Sequence, residues 1–188
     1  MRDGRELRIT NPNGTNLRVG IAGRPIVISD GVITSASIAS GEKTSVWLPA
    51  GEAFFTPVTG TAEGKIVVPR YYYQGKAVEN LTLIVKGGHV VSMTASSGFE
   101  PLQASWNASP AGRDLLSVVD FGINPNITIP AGAQFDAWVP AGMVTLSVGN
   151  DTWAGGSNNV PFGLSAFLPG STVTVDGIPI VEKGTAKF

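Results

Sequence analysis

Leu81-Thr82-Leu83-Ile84-Val85-Lys86-Gly87-Gly88-His89-Val90-Val91-Ser92-Met93 is two runs rich in branched apolar residues joined at a glycine pair. β-Branched side chains suit a pleated, half-buried surface, and a two-residue Gly-Gly link accepts the backbone angles whose twist matches antiparallel strands. The stretch reads as a β-hairpin. Short runs of the same kind, bounded by Gly, Pro, Asn or Asp, lie on both sides of it. Before it come Leu17 to Ile21, Ile26 to Ile28 and Lys65 to Val68; after it come Gln134 to Val139, Met143 to Val148, Val160 to Leu168, Thr172 to Val175 and Ile178 to Glu182. Helical signal is confined to Phe99 to Asn107 and to Ala111 to Val118, the second preceded by Ser109-Pro110 as N-cap and first-turn proline. The expected fold is α+β and β-dominated. Mostly antiparallel strands form a barrel-like or twisted sheet core with two short helices near 99–118, in a single domain over residues 1–188.

The composition of the 188 residues agrees with this. Hydrophobic residues make up 43% and charged residues 14%, so a core can form and a highly charged disordered chain is excluded. Thirteen Lys and Arg against fourteen Asp and Glu give a net charge of -1, with no basic cluster to attract a phosphate backbone or an anionic membrane surface. Nucleic acid and membrane are therefore not expected partners. No apolar run approaches the ~20 residues that span a bilayer. The absence of cysteine removes disulfides, thiolate catalysis and thiolate metal sites, yet is compatible with either redox compartment. The compartment stays open, with a soluble cytoplasmic chain favoured.

Catalytic resources are few. The single histidine, His89, follows the Gly87-Gly88 turn and reads as an exposed turn-edge residue rather than a ligand or general base. The Gly-rich piece 149–156 lacks the phosphate-loop pattern. Pro-Ala-Gly recurs at 49–51, 130–132 and 140–142 and reads as three similar turns. The polar segment Asp151 to Asn159 is either a lid over a site or a plain connection. Tyr71-Tyr72-Tyr73 with Trp47, Trp106, Trp138 and Trp153 offers flat aromatic surface, although strand alternation sends Tyr72 to the face opposite Tyr71 and Tyr73.

Two carboxylates stand out. Glu52 begins an apolar strand in Leu48-Pro49-Ala50-Gly51-Glu52-Ala53-Phe54-Phe55-Thr56-Pro57, and Asp120 is embedded in Val118-Val119-Asp120-Phe121-Gly122-Ile123-Asn124-Pro125. An ionised carboxylate among apolar neighbours is costly unless it holds a metal, pairs with a cation or accepts backbone hydrogen bonds. The pair marks either a site, or a solvent-facing strand start at Glu52 and a turn cap at Asp120.

In order along the chain, Gly14-Thr15-Asn16-Leu17, Gly23-Arg24-Pro25, the 48–57 segment, Glu63-Gly64-Lys65-Ile66, the hairpin with Gly88, Gly112-Arg113-Asp114-Leu115, Gly122-Ile123-Asn124-Pro125, Ser147-Val148-Gly149-Asn150-Asp151, Gly155-Gly156 and Asn159-Val160-Pro161 resemble the C-terminal half of the thermophilic metallo-aminopeptidases, the aminopeptidase T and aminopeptidase S group. The resemblance implies a site in which two glutamates, two histidines and an aspartate hold a pair of divalent metals, with a tyrosine nearby, and which removes N-terminal residues from peptides. Glu52 matches the first glutamate and Asp120 the second. The first histidine falls at Thr145, the tyrosine at or near Thr152, and the final His-x-Asp at Gly163 and Ser165. Most ligand positions are therefore vacated. Two metals about 3.5–4 Å apart need more ligand charge than two carboxylates supply.

Three readings follow. The first is a degenerate, non-catalytic relative acting as a binding or oligomeric assembly module, with no cofactor, a homo-oligomer, a dimer by the family's habit, and a peptide or small molecule as ligand. The second is a metal-dependent aminopeptidase using zinc, cobalt or manganese. The third is a surface glycan- or ligand-binding β-domain built on the aromatics.

Overall fold

The computed structural model describes residues 4–40, 46–133 and 138–187. The chain runs β1 (Glu6–Thr10), β2 (Asn16–Gly20), β3 (Val27–Ser29), α1 (Ser35–Ser40), β4 (Glu52–Phe55), β5 (Glu63–Tyr73), β6 (Lys76–Lys86), β7 (His89–Thr94), α2 (Glu100–Ala108), β8 (Leu116–Gly122), β9 (Val144–Gly149), β10 (Gly163–Phe167), β11 (Thr172–Val175), β12 (Ile178–Glu182) and β13 (Thr185–Ala186). Among the described residues the strands form two open sheets. Sheet A has eight strands in the order β13-β12-β11-β1-β2-β5-β6-β7, and sheet B has five in the order β10-β9-β8-β4-β3. Every pairing between these strands is antiparallel. The core is a pair of twisted sheets and not a closed barrel.

The expected hairpin is β6–β7, with Gly87 and Gly88 at φ 55° and 79°. Both angles lie in the left-handed region that a two-residue antiparallel turn requires. Sheet A alternates cleanly: Leu7, Ile9, Leu17 and Val19 are fully buried while their neighbours face solvent. Sheet B is different. β8 and β9 are buried at every position, because both faces of the sheet are covered. Its inner face contributes Phe55, Val119, Phe121, Leu146 and Leu164 to the apolar cluster that also holds the inward residues of sheet A and Leu102 of α2.

Two expectations are corrected. The helix expected over Ala111 to Val118 is absent: residues 111–114 form a turn, and the chain enters β8 at Leu116. Ser109 does not cap a new helix but closes α2, of which it is the C-terminal cap, its Oγ donating to the Ser105 carbonyl at 2.8 Å. The Leu-Ser-Val-Val-Asp-Phe run then satisfies its backbone by pairing with β4 on one side and β9 on the other. The second short helix is α1, far earlier in the chain. The strand expected over Gln134 to Val139 lies, in its first four positions, outside the described residues, and Trp138 and Val139 are not in a strand.

The aromatic residues do not form one platform. Tyr71 and Tyr73 pack against the core, Trp106 packs edge-on to Phe162 at 5.3 Å, and Trp47 and Trp153 lie together on the outer side of sheet B. Tyr71 links the two sheets. Its oxygen accepts the backbone N–H of Ser165 on the edge strand β10, and burial pushes its hydroxyl up to about 12.

Candidate functional site

Strand register decides where the sequence-selected residues go. In the β4–β8 pairing Phe54 faces Asp120 and Glu52 faces Gly122, so the two carboxylates are diagonal neighbours on one face. Across β8–β9, Asp120 faces Thr145 and Val118 faces Ser147. Across β9–β10, Ser147 faces Ser165 and Gly149 faces Gly163. Side chains two apart on a strand share a face. Glu52, Asp120, Thr145, Gly163 and Ser165 therefore all stand on the outer face of sheet B, away from the core.

Thr152 is not on a strand. It lies in the short 3-10 turn Thr152–Ala154, exposed, with its hydroxyl donated to Asn150 Oδ1 at 2.9 Å. The next two residues cover one end of the face: Trp153 meets Phe54 at 5.2 Å and Trp47 at 6.2 Å, and Ala154 clusters with Phe54 and Val118.

The electrostatics follow from the burial. Asp120 is 7% exposed, and its Oδ1 has no hydrogen-bond partner. Desolvation and the neighbouring Glu52 charge raise its pKa well above the carboxylate range, with partial relief from the Phe121 backbone N–H. Burial also raises Glu52, which is half-buried. Thr145 lies directly across from Asp120, and its buried Oγ1 likewise lacks a partner. Ser147 and Ser165 hydrogen-bond to each other at 3.0 Å, which leaves neither hydroxyl committed to a carboxylate. Gly163 is exposed and has open space where a side chain would project.

This donor set does not fit a two-metal centre. Among the described residues the register of sheet B brings together two anionic side chains, Glu52 and Asp120, with the hydroxyls of Thr145, Ser147 and Ser165 and the bare Gly163 around them, too few strong donors for a pair of divalent ions. Among the described residues no group of three or more His, Asp and Glu side chains is arranged to hold a metal ion. The lone histidine is elsewhere, with His89 Nδ1 3.0 Å from Asp114 Oδ2 at the hairpin turn.

Ser147 adds a polar group to this face that the sequence does not single out, although the polar-apolar alternation of Thr145-Leu146-Ser147 within a strand marks it. Asp151 lies off this face, at the start of the polar loop. It is 5% exposed, its Oδ1 accepts the Asn158 N–H at 2.7 Å, and Asn158 Nδ2 in turn holds the Gly112 and Gly149 carbonyls at 2.8 and 2.7 Å. The 151–159 segment is a closed, internally bonded loop.

A family described as thermophilic metalloprotease (M29) matches residues 2–115. No curated protein matches the chain. Two solved structures share the fold. One is 2,5-dihydroxypyridine dioxygenase from Pseudomonas putida KT2440, with TM-score 0.76 and 20% identity over 98% of this chain and 55% of the other. The other is wild-type AmpT from Thermus thermophilus, with TM-score 0.72 and 19% identity over 100% of this chain and 51% of the other. The chain thus spans about half the length of each.

Proposed function

Starting from the fact that the chain belongs to the thermophilic metalloprotease (M29) family, we propose that it is a degenerate aminopeptidase-like domain that serves as a binding and assembly module rather than a peptidase. One observation carries this reading. The positions where the family resemblance calls for metal ligands fall on a single face of sheet B, and there Thr145, Gly163 and Ser165 replace strong donors. The scaffold that would present a site is kept while the chemistry that would activate water is not. Two carboxylates whose burial favours the protonated form are poor ligands for a pair of divalent ions.

Leucyl-p-nitroanilide hydrolysis with added zinc, cobalt or manganese tests the reading. No turnover above buffer is expected. Activity that Glu52→Gln abolishes overturns it and moves the chain to the second reading, a metal-dependent aminopeptidase. That second reading draws support from the unpartnered Asp120 Oδ1 and Thr145 Oγ1, which stand opposite each other and would suit a single hydrated cation. Elemental analysis after gentle purification separates the two, with well under a tenth of an equivalent of metal, on the order of contamination, expected for the degenerate domain.

The assembly half of the proposal rests on the open edge of sheet B. β3 is the last strand of that sheet, its Val27 and Ile28 are 39% and 50% exposed, and Val32, Ile33 and Ile38 beyond it are exposed as well. An unprotected apolar edge of this kind suits pairing with a second copy of the chain.

A further inference from the structure

At the start of β8, the end away from Glu52, the β8–β9 ladder is broken by a bulge between Leu116 and Val118, which leaves Ser117 as the extra residue. Ser117 is 1% exposed and its hydroxyl has no hydrogen-bond partner. An unpaired buried hydroxyl is unfavourable, so its retention calls for a reason. Ser117 lines a polar cavity of about 280 Å³ between segment 56–60 and the closed loop 151–158.

Two opposite charges line the same cavity. Asp151 is held by the Asn158 N–H, and the Gly156 backbone packs so close that a Cβ there would lie 2.1 Å from the Asp151 carboxyl carbon. Arg24 donates Nε to the Thr56 carbonyl at 2.6 Å and Nη2 to the Thr56 hydroxyl, which fixes its guanidinium and leaves Nη1 uncommitted. The Arg24 charge acts on Asp151, yet no ion pair within 4 Å joins them. Each charge thus faces the cavity without neutralising the other.

We propose that this cavity binds a small zwitterion of α-amino-acid size, with its carboxylate on Arg24, its ammonium on Asp151 and a hydrogen bond to the Ser117 hydroxyl. A ligand with one charge would be repelled by one wall, whereas a zwitterion satisfies both. The volume is below the range of drug-sized pockets, which points to a ligand of a few heavy atoms. The cavity shares no residue with the Glu52–Asp120 face, and the inference does not depend on how that face is used.

Saturation-transfer NMR on the full chain, with L-alanine as probe, tests it. N-acetyl-L-alanine and L-alaninamide, each lacking one charge, serve as the comparison arms. Transfer to L-alanine and its loss with both blocked forms are expected. Ser117→Ala, which deletes only a buried unpaired hydroxyl, should fold at least as stably and weaken L-alanine binding about 5-fold. Asp151→Asn should weaken it about 10-fold or more. No transfer to L-alanine, equal transfer to a blocked form, or an unchanged Kd in folded Ser117→Ala overturns the proposal.

Discussion

Asp120 occupies a strand that is buried on both faces, where desolvation and the Glu52 carboxylate hold its folded pKa well above the ordinary 3.8. The native state therefore retains a proton that the unfolded chain releases, and the sign of the linkage follows. Stability is highest below the unfolded pKa and declines as pH rises through the raised folded value. Urea unfolding from about pH 4 to about pH 7 should show this decline in the parent chain and a flatter profile in Asp120→Asn. At neutral pH the Asn variant should be the more stable by about 1–3 kcal/mol, since a neutral amide is buried without the cost of taking up the proton that the unfolded Asp120 has released. A parent profile that rises with pH would show that Asp120 is ionised in the fold. Glu52 and Asp120 were legible in the sequence because carboxylates inside apolar runs are expensive wherever they sit. Ser117 and Asp151 were not. One owes its environment to a register shift and the other to a loop that folds back on itself, and neither leaves a periodic trace.

β8 is the element on which the site depends, and it is also where sequence reasoning gave a helix instead of a strand. A Ser-Pro start followed by a few apolar residues is a local signal, whereas the strand is dictated by ladders to β4 and β9 supplied from distant parts of the chain. β2, β11 and the β6–β7 hairpin were readable because their own alternation and turn glycines suffice. The end of β8 is fixed by close backbone approach: a Cβ at Gly122 would lie 1.9 Å from the Pro140 carbonyl oxygen and 2.4 Å from that of Val139. Backbone cannot yield as a flexible side chain can. Gly122→Ala should cost about 3 kcal/mol or more, read as a lowered urea midpoint with an unchanged m-value. Gly163→Ala, at a position on the same face with open space around it, should change stability by no more than about 0.5 kcal/mol. Equal effects would mean that the Gly122–Pro140 approach is not what sets this end of the sheet.

At the β3 end of sheet B, Ile28, Ala53 and Phe121 line an apolar cavity of about 900 Å³ whose wall includes Thr185 and Ala186 of β13 in sheet A. The exposed residues of β3 and the segment after it continue that apolar surface. A chain with only 14% charged residues has little repulsion to keep such edges apart. Pairing of β3, the end strand of sheet B among the described residues, with its own copy about a two-fold axis would extend the sheet and cover Ile28 in one contact. The expected result is a dimer by light scattering after size-exclusion chromatography, with dissociation on dilution. Ile28→Lys places a charge at the centre of that contact but leaves the strand's backbone pairing with β4 intact. It should shift the population to monomer and leave the urea midpoint of the monomer unchanged within about 0.5 kcal/mol. If Ile28→Lys and the parent chain elute with the same mass at every concentration, the β3 edge is not an assembly surface, and the 900 Å³ cavity must be explained by an apolar ligand instead.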